Sequence, residues 1–145
     1  MNMSSEDLLD KILDASVGQV VTVLGEVLNC NIKLEVIEQN TVAANQFVRK
    51  VSITAGGLPV IKANVKFDST VLPEFIMAEL LKKKRGVGTI LNVHNINATR
   101  NVISLNRNTD EHKASREYEI IHNGIIWFTI LEEIRLGNLG SYNNS

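Results

Sequence analysis

One stretch limits what this chain can become more than any other: the run from Arg116 to Leu136, REYEIIHNGIIWFTILEEIRL. Asn123-Gly124 is a two-residue hairpin signal, because both residues tolerate the positive φ of a type I′ turn. The flanking runs are rich in Ile, Trp, Phe and Tyr, as strands are. Side chains alternate faces along a strand, so Phe128, Ile130, Glu132 and Ile134 share one face. That face is apolar except for Glu132. A carboxylate facing a core is costly unless it is paired or hydrogen-bonded. Glu132 therefore either has a buried partner or lines a pocket.

A second stretch repeats the pattern with opposite charge. In Phe47-Val48-Arg49-Lys50-Val51-Ser52-Ile53-Thr54 the alternation places Phe47, Arg49, Val51 and Ile53 on one face. Arg49 is then a guanidinium among apolar neighbours. Two readings stay open. Arg49 and Glu132 neutralise each other as a structural ion pair, or they bind a ligand with a carboxylate at one end and a hydroxyl at the other. In the second reading Arg49 takes the carboxylate bidentately and Glu132 accepts the hydroxyl's hydrogen bond.

The rest of the chain supplies a single-domain frame. With 145 residues and a 44% hydrophobic fraction, one globular domain is expected over residues 1–136. Polar composition marks 137–145 as a disordered tail. A net charge of −1 gives no global field towards nucleic acid or acidic membrane, so neither is expected as a partner. Cys30 is the only cysteine, which rules out an intrachain disulfide and points to the cytoplasm. No apolar run approaches the roughly 18 residues of a membrane span.

Read in order, Ser4 to Ala15 is an amphipathic helix with Leu8, Leu9, Ile12 and Leu13 on one stripe. Ser16-Val17-Gly18-Gln19 has capping-box form and starts a helix to Leu28. A strand follows from Ile32, then a polar, turn-like stretch over Gln39–Asn45. Strands at Gln46–Ala55 and Leu58–Phe67 flank a Gly56-Gly57 turn. Pro73 suits the first position of a helix running from Glu74 to Lys84, with Phe75, Ile76, Leu80 and Leu81 inward. Gly86-Val87-Gly88 leads into a short helix. Asn95–Asn106 is a strand, and the hairpin closes the chain. Antiparallel strand runs with helices in separate blocks define an α+β layout.

Motifs for chemistry are sparse. His94, His112 and His122 stand in no metal-binding spacing, and no metal is expected. There is no nucleophile elbow and no complete phosphate loop. Lys82-Lys83-Lys84-Arg85 ends a helix, where cations suit the dipole. Gly86-Val87-Gly88 is either a plain break or a helix start whose N–H groups attract a carboxylate.

Several pieces, taken in order, resemble the chorismate lyase-like proteins, in particular their short archaeal and cyanobacterial branch. Val48-Arg49-Lys50-Val51-Ser52-Ile53 with Gly56-Gly57-Leu58-Pro59-Val60-Ile61-Lys62-Ala63-Asn64 resembles the Arg-bearing strand, turn and returning strand of that family. Gly86-Val87-Gly88-Thr89-Ile90-Leu91 is similar to its Pro-Leu-Gly helix start. Ala98-Thr99-Arg100-Asn101-Val102-Ile103 is similar to its T-R-x-x-I strand, and Gly124–Ile134 to its last strand with Glu132 at the glutamate. The resemblance implies a six-stranded antiparallel sheet with helices on one face and end. It implies cofactor-free elimination of pyruvate from chorismate to give 4-hydroxybenzoate, in a monomer or homodimer. It implies Arg49 holding the ring carboxylate with the backbone at Val87 and Gly88, and Glu132 assisting at the departing ether. The alternative it implies is a non-catalytic domain that binds an aromatic carboxylate. Gly86, Ile126 and Asn64 depart from the pattern, where Pro, Pro and often Arg stand.

Overall fold

The computed structural model describes residues 5–108 and 111–140. The expected α+β architecture is present. Six antiparallel strands are β1 (Ile32–Ala43), β2 (Gln46–Ala55), β3 (Leu58–Asp68), β4 (Thr99–Asn108), β5 (Lys113–His122) and β6 (Ile125–Arg135). They form one sheet in the order β1-β2-β3-β6-β5-β4. The helices are α1 (Ser5–Asp14), α2 (Val20–Leu28), α3 (Glu74–Leu81), α4 (Val87–Val93) and the short α5 (Leu136–Gly140).

The hairpin forms as its sequence dictates. Asn123 and Gly124 both take positive φ, 50° and 76°, and β5 pairs with β6 from His122↔Ile125 outward. A bulge between Ile120 and Ile121 then shifts the register by one residue, so that Tyr118 opposes Ile130 and Arg116 opposes Glu132. A one-residue shift exchanges the two faces of a strand. Arg116, Tyr118 and Ile120 therefore point inward beside Glu132, Ile130 and Phe128.

The inner face carries two apolar clusters. One packs Leu8, Leu9 and Ile12 of α1 and Leu24 of α2 on Ile53, Val60, Ile61 and Ile134. The other packs Ile76 and Leu80 of α3 and Val87, Ile90 and Leu91 of α4 on Val65, Phe67, Ile120, Phe128 and Ile130. Helices thus cover one face. The other is solvated, with Lys50, Lys62, Asn64 and Lys66 in a row of alternate positions on β2 and β3.

Several expected boundaries move. The polar stretch from Gln39 is not a turn: β1 continues to Ala43, because Gln39, Asn40 and Thr41 pair with Arg49, Val48 and Phe47. Helix α2 starts at Val20 rather than Val17, and Gln19 at its N-cap makes no side-chain capping bond. Gly18 there has φ +84°, which a helix does not use. Pro73 is the N-cap of α3, not its first helical residue, and α3 stops at Leu81. Ile76 and Leu80 face inward, whereas Phe75 and Leu81 are exposed. The Gly137 amide bonds to the His112 carbonyl, so the expected tail begins as helix α5; residues 141–145 lie outside the described residues.

Candidate functional site

Between the two clusters the inner face holds a cavity of about 100 Å³, lined by both. Val20, Val21, Leu34, Val51, Ile53 and Ile61 form one side; Val65, Val87, Ile120 and Ile130 form the other. Arg100 of β4, Tyr118 of β5 and Glu132 of β6 bring the polar groups. The volume approaches the ~150 Å³ of a dry engineered cavity that takes benzene, so a single ring is the right scale.

Glu132 is buried, and each of its oxygens accepts a hydrogen bond. Its Oε1 accepts from Arg116 Nε at 2.9 Å and lies 2.8 Å from Arg116 Nη2. That Nη2 is out of line for a hydrogen bond and has no other acceptor. The Tyr118 hydroxyl donates to Glu132 Oε2 at 2.9 Å. Arg116 Nη1 reaches the Leu13 carbonyl at 3.3 Å, which ties the end of α1 to the site. Both guanidiniums flank one ring, with the Arg100 and Arg116 Cζ atoms 4.9 Å and 4.6 Å from the Tyr118 centroid. Burial first, then the Glu132 carboxylate, pushes the Tyr118 phenol far above its usual range, so it stays a donor.

Arg100 differs from Arg116. It donates from Nη1 to the Ala15 carbonyl at 2.8 Å. Its buried Nε has no partner. Among the described residues no carboxylate forms an ion pair with it. Arg100 lines the cavity with Glu132, whose ion pair is with Arg116, so among the described residues the Arg100 charge has no ion-pair partner. In the sequence Arg100 stands out only as part of a strand pattern; its inward direction depends on the pairing Arg100↔Ile120.

The structure brings Glu132, Val87 and Gly88 together on the cavity but places Arg49 elsewhere. Arg49 is fully buried, and each of its three nitrogens donates to a neutral acceptor. Nε donates to Gln39 Oε1 at 2.8 Å, Nη1 to the Arg85 carbonyl at 2.7 Å and Nη2 to the Leu80 carbonyl at 2.9 Å. Of the two readings left open by the sequence, the Arg49–Glu132 ion pair is not formed, because Glu132 pairs with Arg116, and Arg49 does not line the cavity that Glu132 lines. Burial pulls the Arg49 guanidinium down to about 10. The carbonyls of the last turn of α3 are the negative end of a helix dipole, which favours a cation there. Arg49 thus holds the segment that leads into Gly86-Val87-Gly88.

That segment closes the cavity by a contact between two glycines. A Cβ on Gly88 would stand 2.4 Å from the Gly18 nitrogen, so both must lack side chains. Asn92 Nδ2 donates to the Val17 carbonyl at 3.2 Å and fastens the same contact.

Among the described residues, no group of three His, Cys, Asp or Glu could hold a metal ion. No helix there is long and apolar enough to cross a membrane.

Compared with known proteins, the chain matches no family model and no curated protein. Solved structures do resemble it. The effector domain of PhnF from Mycobacterium smegmatis aligns with a TM-score of 0.55 at 7% identity, over 83% of this chain and 90% of that one. A GntR-family transcriptional regulator from Bacillus cereus aligns with a TM-score of 0.46 at 13% identity, over 72% and 91% of the two chains. The PhnF likeness shows the fold alone: this chain shares the α+β architecture of that domain, a six-stranded antiparallel sheet with helices on one face.

Proposed function

We propose that residues 1–136 form a small-molecule binding domain whose ligand is a single-ring or similarly compact monocarboxylate. One observation carries the reading: Arg100 lines an apolar cavity with a buried, unpartnered Nε, and among the described residues no carboxylate forms an ion pair with it. A buried N–H without an acceptor is costly, and a ligand carboxylate supplies the missing acceptor through a charge-assisted hydrogen bond. Val87 and Gly88 line the same cavity, and Tyr118 and Glu132 add its other polar side chains. Arg49 acts through position, by holding the segment that carries Val87 and Gly88. No cofactor enters. Binding as an effector is also what the fold of the PhnF domain suggests.

The second reading is chorismate pyruvate-lyase chemistry, favoured by Glu132 standing in the same cavity. In that reading Arg100 orients the ring carboxylate and Glu132 faces the departing ether. Glu132 already accepts from Arg116 and Tyr118, which leaves less of it for a reacting proton and favours the binding reading. Neither reading excludes nucleic acid as a partner.

The test is calorimetric titration of benzoate, 4-hydroxybenzoate and a neutral benzamide, with chorismate incubated separately and pyruvate followed. Carboxylate binding that disappears in Arg100→Gln, without pyruvate release, supports the binding domain. Equimolar pyruvate and 4-hydroxybenzoate, lost in Arg100→Gln, make it a lyase. Equal binding of benzamide and benzoate overturns the assignment of Arg100.

A further inference from the structure

The two edges of the sheet are treated differently. At β1 the edge is interrupted by two register shifts, Val36/Glu38 and Thr41/Ala43, and carries Lys33, Glu35 and Glu38 in ion pairs. Bulges and charges are the usual protection of a free edge. At β4 the edge runs for 10 residues with a single register shift, between Val102 and Ser104, and with no lysine, no carboxylate and no proline. Val102, Ile103 and Leu105 are 49%, 51% and 44% exposed on it.

The β4 sequence is close to a palindrome of residue types: Arg100-Asn101-Val102-Ile103-Ser104-Leu105-Asn106-Arg107. Laid antiparallel on itself about the midpoint between Ile103 and Ser104, it sets Asn101 against Asn106, Val102 against Leu105 and Arg100 against Arg107. In a regular strand such partners would lie on opposite faces, and a two-fold axis through the sheet could not relate them. Here the shift between Val102 and Ser104 changes the alternation. Val102 opposes Tyr118, Leu105 opposes Arg116 and Arg107 opposes Ala114, so all three stand on the helix-covered side with Arg100. Asn101 and Asn106 stand together on the other side, opposite Glu119 and Ser115. Every palindromic pair except the central Ile103–Ser104 thus shares a face. The like charges are also managed: Arg107 is held by Glu6 at 2.6 Å and Asp10 at 3.2 Å, and Arg100 turns into the cavity.

We infer that β4 is a homodimer interface: two copies join antiparallel through β4 about a two-fold axis between Ile103 and Ser104 and form one twelve-stranded sheet. Such an isologous contact is self-complementary by symmetry. It supplies partners for the outer N–H and C=O groups of β4, and it covers Val102 and Leu105 with each other.

Sedimentation equilibrium of the full chain is expected to give a dimer. Val102→Lys with Leu105→Lys is expected to give a monomer with unchanged circular dichroism, since both sites are half exposed in the monomer. Ile37→Lys, on the opposite edge, is expected to leave the dimer intact. A cross-link then checks the register. In a Cys30→Ser background, Val102→Cys and Leu105→Cys lie three residues apart along a strand, roughly 10 Å, beyond disulfide reach within one chain. Between copies they face each other, so oxidation is expected to give a covalent dimer. A monomeric wild type, a dimer that persists with both lysines, or an absence of cross-linked dimer would each overturn the inference.

Discussion

Truncating Glu132 isolates what the buried cluster costs to keep. With Glu132→Ala, Arg116 remains 2% exposed by side chain with its charge partner gone. Breaking a buried pair from one side costs about 3–5 kcal/mol, so urea unfolding should show a loss of that order. Tyr118→Phe removes one hydrogen bond to the same carboxylate and should cost only about 1–2 kcal/mol. The two residues also separate by pH. Burial raises the Tyr118 phenol above its usual value of about 10. Above that pH the unfolded chain releases the proton and the folded chain keeps it, so stability falls as pH rises. Arg49 works in the opposite direction, because burial lowers its value to about 10. The folded chain then holds fewer protons than the unfolded chain from there to the usual arginine range, and stability gains. Comparing wild type with Tyr118→Phe at about pH 9 and about pH 11 cancels the Arg49 contribution. The alkaline loss of stability should be smaller in the variant; an equal loss would remove Tyr118 as its source.

At the level of elements, the positions of single residues explain what the sequence could and could not tell. The type I′ turn was legible because Asn123-Gly124 is a local signal. The partner of Glu132 was not, because it depends on a bulge. A hairpin without the bulge would put Glu117 and Glu119 on the inner face and Arg116 outside. Arg49 was legible as buried, since alternation suffices for that. Its acceptors were not, because two are carbonyls at the end of α3 and beyond it, far away in sequence. The same distance hid the contact of Gly18 with Gly88. Gly88→Ala follows at this scale. Its Cβ meets backbone, which cannot rotate aside, so α4 must shift. Overpacking of this kind costs about 1–3 kcal/mol, and benzoate affinity should fall with it. Gly57→Ala meets nothing within 4 Å, and although its φ of +91° lowers stability, it lies outside the cavity lining and should leave affinity unchanged. Calorimetry on both variants reads the difference.

For the whole molecule, Arg100 belongs to two surfaces at once, the cavity wall and the proposed dimer strand. Across the two-fold axis it stands opposite Arg107 of the second copy, whose charge the exposed Glu6 and Asp10 offset only in part, and the residual like-charge opposition on paired strands destabilises by at most roughly 0.2–1 kcal/mol. A bound carboxylate neutralises Arg100 and relieves that opposition twice in each dimer. Ligand binding should therefore tighten the dimer, and by reciprocity the dimer should bind ligand more tightly than the monomeric Val102→Lys, Leu105→Lys variant, by a few-fold. Screening weakens opposition between charges at an exposed edge, so the coupling should shrink as salt is raised. Sedimentation with and without benzoate, at low and high salt, measures it directly. A dimer constant that benzoate leaves unchanged at low salt would separate the two roles of Arg100 and leave the cavity and the interface as independent sites.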